Sequence, residues 1–312
     1  MTRKTLPYQK IINVLLILIA LGYLLYRLLT FSDYPTFFAH FQSCSFADYC
    51  LLVVAFLLFP LNIAIEALRW QYLLRDVEPI SFREANRQVY YGCVGAFITP
   101  NRLGEYPTRA LLLKDHSHYL QAITLGFVGS FAMLCIIEVI GITAVVYFFL
   151  HYVQNSTSQF IIFTCYLILV LALFLILIFF PRIYAFCATR FHGKALQILE
   201  ATAHLGYKRF FILCLQTLFR YLIFSFQLYC IFSFCGVSLS FLQAIIAIPA
   251  YYALVSIMPS IPVADTIFRG SWALIVFSFF TPNTPNIAIA VLLIWVINTV
   301  IPMLIGTVMR KH

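Results

Sequence analysis

Long uninterrupted apolar runs recur along most of the chain and predict membrane-spanning helices. A helix needs about 20 consecutive apolar residues to cross the hydrocarbon core of a bilayer. Runs of that length predict full spans at 11–29, 49–69, 119–150, 160–180, 209–236 and 287–309. The first run follows basic residues, as a secretory signal does. It is longer than the apolar stretch of a signal and no small-residue cleavage site follows it, so we expect a retained span.

Two further apolar regions, 83–115 and 240–281, are interrupted where the other runs are continuous. The helix-breaking positions are Pro100 and Gly104 in the first region and Pro259 and Pro262 in the second. Proline removes a backbone donor and ends or kinks a helix. We therefore expect each region to form a re-entrant hairpin, two half-helices that enter the membrane and return to the same face.

Composition excludes a soluble domain and changes the interpretation of the basic charge. Of the 312 residues, 63% are hydrophobic and 10% are charged, whereas soluble domains carry roughly 25% charged residues. The net charge is +9, but the basic residues lie between apolar runs. Anionic lipid headgroups are therefore the expected partner, rather than nucleic acid. The nine cysteines lack the paired spacing of a metal site, so we expect neither metal nor cofactor.

Lysine and arginine occur in alternate connectors, and this predicts the orientation of the chain. The basic segments are the N-terminus, 70–84, 181–209 and the C-terminus, whereas 31–48, 151–159, 237–239 and 282–286 have no lysine or arginine. Cytoplasmic connectors carry the excess of basic residues, so both termini are expected in the cytoplasm. Region 83–115 would then enter from the cytoplasmic face and region 240–281 from the opposite face.

The two interrupted regions share an order of residues that predicts an inverted repeat. In each, a Ser-Phe pair starts the region, a proline follows 18 residues after the phenylalanine, and an acid then precedes an arginine by four. The matching positions are Phe82, Pro100, Glu105 and Arg109, and Phe241, Pro259, Asp265 and Arg269. Broken helices at the interface of inverted repeats are typical of secondary transporters, which bind substrate near the bilayer midplane.

The predicted fold is all-α, a polytopic membrane helical bundle of about six full spans and two re-entrant hairpins. We expect one integral membrane domain over 1–312. Its parts are a first span and external loop at 1–45, a first repeat at 46–150, a span and cytoplasmic connector at 151–208, and an inverted second repeat at 209–312.

Polar and ionisable residues in the predicted membrane interior are the candidate site residues, because such groups are costly there. They are Asn62, Glu66, Arg69, Asn101, Arg102, Glu105, Arg109, Ser260, Asp265 and Arg269. Spacings of three or four allow acid–base pairs on one helical face. These pairs would either line a transport cavity or only stabilise the hairpins. Each pair could form within one hairpin or between the two hairpins. Three other embedded charges, Arg87, Glu138 and Arg220, are interpreted as structural partners.

The half-helix after Pro100 adds a more specific expectation. Amides at a helix N-terminus attract anions, and an arginine binds phosphate in a forked geometry. We therefore expect the start of this half-helix and Arg102 to suit an anion such as phosphate.

The chain resembles the transmembrane region of lysylphosphatidylglycerol synthase and its flippase-like relatives. The resemblance rests on the patterns Glu66-x-x-Arg69-Trp70 and Thr99-Pro100-Asn101-Arg102-Leu103-Gly104-Glu105 with Arg109. The second motif of the family is Pro- and Gly-rich, and here Pro259-Ser260-Ile261-Pro262-Val263-Ala264-Asp265 lacks the glycines. The resemblance implies lipid translocation between leaflets. Members that also synthesise aminoacylated phosphatidylglycerol carry a soluble transferase domain, which this chain lacks up to His312, so we do not expect synthesis.

The expected function is movement of a phospholipid or lipid-linked headgroup across the inner (plasma) membrane. Arg102, Arg109 and Arg269 would contact anionic phosphate, while Glu66, Glu105 and Asp265 would balance these arginines or contact a cationic headgroup. No nucleotide-binding or hydrolase motif is present, so no enzyme activity is expected. Two alternatives stay open. One is an intramembrane lipid transferase with Glu105 or Asp265 as general base. The other is a non-transporting partner of a separate lipid-modifying or glycan enzyme.

Overall fold

The computed structural model describes residues 44–152, 206–257, 262–281 and 284–309, with scattered residues within 35–42 and 159–186. The predicted span at 11–29 and Pro259 and Ser260 of the second break lie outside the described residues, as does most of 151–208.

The α-helices whose bounds are described are numbered in chain order. They are α1 (Phe46–Leu74), α2 (Phe82–Ile98), α3 (Glu105–Ala110), α4 (Tyr119–Tyr152), α5 (Gly206–Phe234), α6 (Phe241–Ile257), α7 (Pro262–Phe277), α8 (Thr284–Trp295) and α9 (Ile301–Met309). A π-helical turn at Val296–Val300 joins α8 to α9, and 3₁₀ turns lie at Pro100–Arg102 and His116–His118.

The described residues include four helical stretches that are long and apolar enough to cross a membrane. They are Phe46–Leu74, His116–Phe148, Lys208–Phe234 and Pro285–Met309. These stretches confirm the predicted spans at 49–69, 119–150, 209–236 and 287–309. Together with the shorter apolar helices they make the protein a multi-pass helical membrane protein.

Serine caps begin the helices that follow polar connectors. The Ser81 hydroxyl accepts a hydrogen bond from the Glu84 amide, and the Glu84 carboxylate accepts one from the Ser81 amide at 2.9 Å. The same reciprocal cap starts α1 at Ser45 and, with a glutamine in place of the acid, α6 at Ser240. Each cap satisfies amide groups that the first turn of a helix otherwise leaves without partners.

The first predicted break is confirmed at Pro100. The residue before it, Thr99, is extended at φ −107° and ψ 144°, as expected of a residue that precedes proline. Asn101 and Arg102 then take left-handed backbone conformations with φ of 51° and 60°. These angles are unusual for residues other than glycine. Gly104 follows as the N-cap of α3, so the chain reverses direction within a few residues.

The second break separates α6 from α7, and α7 begins at Pro262. Proline is favoured in the first turn of a helix, where its missing amide has no partner to lose. The break predicted from the second pair of prolines is therefore confirmed at Pro262.

Polar contacts gather several chain segments at one end of the bundle. Backbone amides of Lys114 and Asp115 donate to the Glu78 carboxylate at 2.9 and 3.1 Å. Lys114 also pairs with Glu84 at 3.2 Å, and Arg209 pairs with Asp76. The start of α2, the segment after α3 and the start of α5 therefore meet at this end.

Aromatic contacts bring further helix ends together at the opposite end of the bundle. Phe41 packs edge-on against Phe234, with ring centroids 5.4 Å apart. Phe148, near the end of α4, packs against Phe279 and Phe280, which follow α7. The connection from α5 to α6 and the end of α7 thus lie opposite the end where α2 begins. Between the ends, α1 packs on α5, α2 on α9, and α4 on α6.

Candidate functional site

A cavity of about 630 Å³ opens between the helices of both halves of the chain. Its wall includes residues of α1, α2, α4, α5, α6 and α7 together with the turn after Pro100 and the π turn before α9. Aromatic and aliphatic side chains form much of the wall. Its charged and amide-bearing residues are Asn62, Glu66, Arg69, Asn101, Arg102, Glu105, Arg220, Arg269 and Asn298.

Glu66 is the centre of an ion-pair cluster that joins three helices. Its carboxylate pairs with Arg69 of its own helix and with Arg109 of α3, both at 2.7 Å. Arg220 of α5 pairs at 2.8 Å with Oε2, the oxygen that Arg69 also contacts, and donates to Asn62 at 2.8 Å. A buried carboxylate in a membrane protein requires such partners. The pairing of Glu66 with Arg69 was expected from their spacing, whereas the other two pairs depend on packing.

Glu105 extends this cluster toward the broken turn. It pairs with Arg109 within α3 and with Arg102, whose Nε lies 3.0 Å from the carboxylate. Arg109 therefore bridges two acids, Glu105 and Glu66. The sequence allowed Glu105 and Arg109 to pair within their own hairpin or across the two hairpins. In the structure they pair with each other within one hairpin. The four arginines and two glutamates of the cluster give it a formal charge of +2.

Exposure separates the four arginines into two groups. The Arg109 and Arg69 side chains are 0% and 2% exposed, whereas those of Arg220 and Arg102 are 18% and 43% exposed. Arg109 lies behind the cavity wall and Arg102 forms part of it. The fully buried pair is therefore placed to hold the cluster, and Arg102 is placed to meet a ligand.

Two sequence expectations about this cluster need correction. The first gave Arg109 a direct phosphate contact, but its guanidinium is enclosed by two carboxylates and lies 5.4 and 4.9 Å from the ring centroids of Trp70 and Tyr106. The second placed an anion at the helix that follows Pro100. That helix, α3, is six residues long and begins with Glu105, whose carboxylate pairs with Arg102 and Arg109 and so already supplies negative charge where an anion was expected.

Close contact between α2 and α3 positions the cluster. A Cβ on Gly92 would lie 2.6 Å from Cγ of Arg109, so a larger residue there would displace the arginine. The Thr99 hydroxyl donates to the Gly95 carbonyl at 2.9 Å and accepts from the Gly104 amide at 2.7 Å. It thereby ties the end of α2 to the start of α3. The small residues of α2 and this threonine bring the Glu105–Arg109 pair against α1.

The structure adds residues that the sequence did not assign to the site. Arg220, interpreted as a structural partner, lines the cavity and binds Glu66. Trp70 donates from its indole to Gln88 at 2.6 Å and so connects α1 to α2. Arg220 is a charged residue within an apolar helix, and this feature of the sequence could have identified it as a site residue. Arg87 is half-buried on α2 and does not line the cavity.

The second hairpin contributes Arg269 to the cavity wall. Asp265 lies in α7, but its side chain is outside the described part, so its predicted pairing with Arg269 stays a prediction. Packing of α7 against α2 and against the Pro100–Arg102 turn brings the second hairpin beside the first break. The described residues include no group of three His, Cys, Asp or Glu side chains arranged to hold a metal ion.

Two acids outside the spans have pKa values that follow from their hydrogen bonds. The pKa of the Glu84 carboxyl is lowered, first by the Ser81 amide and hydroxyl and then by Lys114. The pKa of Asp115 is lowered by hydrogen bonds from Ser117. Both carboxylates therefore stay ionised at neutral pH and fix the polar end of the α2–α3 hairpin.

Comparison with known proteins agrees with the assignment as a helical membrane protein. No curated protein and no solved structure matched the chain. One family profile matched, that of the lysylphosphatidylglycerol synthase TM region, and the match covers residues 11–306. Because this match covers nearly the whole sequence, the chain belongs to the lysylphosphatidylglycerol synthase TM region family.

Proposed function

We propose that this protein moves a phospholipid or a lipid-linked headgroup between the leaflets of the membrane through the cavity. The observation that carries the proposal is a cavity of about 630 Å³ that is lined by charged side chains within an apolar bundle. Charged groups inside a membrane protein mark substrate pathways. A headgroup would cross through the cavity while its acyl chains remain in the bilayer.

The charge of the cluster favours an anionic headgroup. Four arginines against two glutamates leave an excess of positive charge, and Arg102 exposes 43% of its side chain beside the cavity. Arginine binds phosphate through several parallel hydrogen bonds. Arg102, Arg220 and Arg269 are the proposed phosphate contacts. Arg69 and Arg109 hold the two carboxylates that keep this excess positive charge in place.

The arrangement of the two halves supports an inverted repeat with two re-entrant hairpins. The α2–α3 hairpin begins and ends at one end of the bundle, whereas α6 begins and α7 ends at the other. The packing is reciprocal, since α2 contacts the last helix of the second half and α6 contacts the last helix of the first half. Such repeats allow a central site to open alternately to either face.

The proposed location is the inner (plasma) membrane with both termini in the cytoplasm. The basic residues Arg75, Arg83, Lys114 and Arg209 belong to segments that meet at one end of the bundle. An excess of lysine and arginine favours the cytoplasmic side. The end where α2 begins is therefore proposed to face the cytoplasm.

The lipid is proposed to be moved without chemical change, with membrane lipids as the main partners. In the cluster each glutamate is paired with arginines at hydrogen-bond distance. A carboxylate held in this way is a weak general base, because the arginines stabilise its ionised form. The cluster therefore favours binding over group transfer.

Vesicles that contain the purified full chain and fluorescent phosphatidylglycerol provide the test. Quenching of the outer leaflet reports how fast labelled lipid crosses. Arg102→Ala is expected to slow crossing about tenfold or more, since a hydrogen bond to a charged group contributes about 1.5–3 kcal/mol. Arg83→Ala is the matched control, because Arg83 is exposed on α2 and lies outside the cavity.

Two results would count against the proposal. One is a crossing rate in vesicles with protein that does not exceed the rate in protein-free vesicles. The other is an equal rate for Arg102→Ala and Arg83→Ala. Mass spectrometry of the recovered lipid separates transport from chemistry, because a changed headgroup mass would instead support the transferase alternative.

A further inference from the structure

Glu138 is an ionisable residue in the middle of an otherwise uncharged apolar span. Between residues 119 and 150 it is the one Asp, Glu, Lys or Arg in the sequence. At 1.5 Å per residue it lies about 28 Å from the start of α4 and about 21 Å from its end. Its depth is therefore close to the middle of the hydrocarbon core.

Glu138 is half-buried, and it differs from the buried acids Glu66 and Glu105 in its partners. Glu66 pairs with three arginines and Glu105 with two. In the part of the chain that the structure describes, no lysine or arginine pairs with Glu138. Its contact is the Ser256 hydroxyl of α6, and its second oxygen is buried without a hydrogen-bond partner. An ionised carboxylate without a cation is costly at this depth, whereas the neutral acid is not.

The two contacts of the Ser256 hydroxyl are consistent with a protonated Glu138. The Ser256 oxygen lies 2.8 Å from the Ala253 carbonyl and also within hydrogen-bond distance of Glu138. A serine hydroxyl has a single proton to donate. If it donates to the carbonyl, the second hydrogen bond forms only when Glu138 carries a proton and donates it to the serine oxygen.

Glu138 is also placed beside the proposed path of the lipid. Leu134 and Ile137, on the same helical face, line the cavity, and so does its partner Ser256. Water that enters the cavity therefore reaches the serine that contacts the carboxyl group.

We propose that Glu138 is a proton-binding site whose release and uptake of a proton is coupled to movement of the lipid. This inference rests on the proposed function and adds to it a proton that Glu138 must carry when the cavity closes. When the cavity opens to water, Glu138 gives its proton to the water and becomes a carboxylate. Before the cavity closes, the carboxylate takes up a proton from the water in the cavity, because the ion has no cation to pair with in the closed bundle.

Neighbouring charged groups favour release of the proton in the open state. The other titratable or charged side chains that line the cavity or lie close to α4 include Glu66, Arg69, Cys93, Arg102, Glu105, Tyr106, Arg109, Cys135, Tyr166, Cys214, Arg220, Tyr221, Tyr251, Tyr252 and Arg269. The arginines carry the net positive charge there. An anionic phosphate bound to them reduces that positive field and favours the protonated acid, so binding of lipid and proton would be cooperative.

Two measurements on the full chain in lipid test this inference. Infrared spectroscopy detects a protonated carboxylic acid in the membrane by its carbonyl band. We expect this band in the wild type and in the control Glu84→Gln, and we expect Glu138→Gln to lack it. A band that survives in Glu138→Gln would overturn the assignment of the protonated site.

The second measurement compares lipid crossing with and without a pH gradient across the vesicle membrane. The gradient is expected to change the rate for the wild type and for Glu84→Gln. For Glu138→Gln, which mimics the neutral acid, the ratio of the two rates should fall to one. Ser256→Ala is a second variant, expected to retain crossing with a weakened response to the gradient. If Glu138→Gln keeps the full response, the proton coupling is overturned.

The two proposals fail in different ways. No crossing by the wild type above the rate of protein-free vesicles would reject lipid transport and with it the coupling, while the infrared band would still decide the protonation of Glu138. Crossing that is unaffected by pH gradients in the wild type would reject the coupling alone.

Discussion

Replacement of Glu66 by glutamine tests whether the ion-pair cluster holds the bundle together. The side chains have nearly the same volume, so Glu66→Gln creates no cavity. It removes the negative charge that three arginines share at 2.7 and 2.8 Å. The formal charge of the cluster then rises from +2 to +3.

The expected cost follows from burial of the arginines. Breaking a buried ion pair costs about 3–5 kcal/mol, because one charge is left without its partner. Arg109 retains Glu105, and Arg69 retains its bonds to Gly129 and Thr217. We therefore expect a loss near the lower value, about 3 kcal/mol in the free energy of unfolding.

Chemical unfolding in detergent micelles, followed by circular dichroism, measures this loss. Glu84→Gln is the matched control, since its carboxylate is exposed and pairs with Lys114 at 3.2 Å, a type of pair that contributes roughly 0–1 kcal/mol. Adding Arg220→Gln to Glu66→Gln should restore part of the stability, with a coupling energy of about 0.5–3 kcal/mol. If the free energies of unfolding of Glu66→Gln and Glu84→Gln differ by less than about 0.5 kcal/mol, the cluster does not stabilise the fold.

Three further predictions concern the helices around the cluster. Gly92→Ala should lower the free energy of unfolding by about 1–3 kcal/mol, because the new Cβ would lie 2.6 Å from Arg109. The control Gly270→Ala should leave it unchanged, since a Cβ there meets nothing within 4 Å. An equal loss in both variants would contradict the close packing of α2 on α3. Trp70→Phe should lower the free energy of unfolding by about 1–3 kcal/mol, since it removes the 2.6 Å hydrogen bond from the indole to a buried glutamine of α2. An unchanged free energy of unfolding would refute this prediction. The pKa of Glu84 is lowered in the folded state. Its contribution to stability is therefore present above its unfolded pKa and is lost as the pH falls through the folded value. The free energy of unfolding of the wild type should depend more steeply on acidic pH than that of Glu84→Gln, and identical pH profiles would show that the cap contributes nothing.

The sequence predicted the spans and the breaks because both depend on local properties. A continuous apolar run can satisfy its backbone in a bilayer only as a helix, and the described helices confirm four of the predicted runs. Pro100 and Pro262 ended or began helices where expected, since proline acts through its own ring and its missing amide. The pairs Glu66–Arg69 and Glu105–Arg109 formed for a similar reason, because helical geometry brings residues three or four apart together.

Only the tertiary structure decided how these local pairs combine and which side chains meet the cavity. Arg220 reaches Glu66 from a helix 154 residues away in sequence, and Arg109 reaches it from 43 residues away. No spacing rule relates such distant positions, because their separation depends on how α1, α3 and α5 pack. The same packing buried Arg109 and left Arg102 exposed to the cavity, although both arginines lie in one motif. A sequence identifies charged residues in a membrane, but the direction in which packed helices present them determines which ones a ligand can reach.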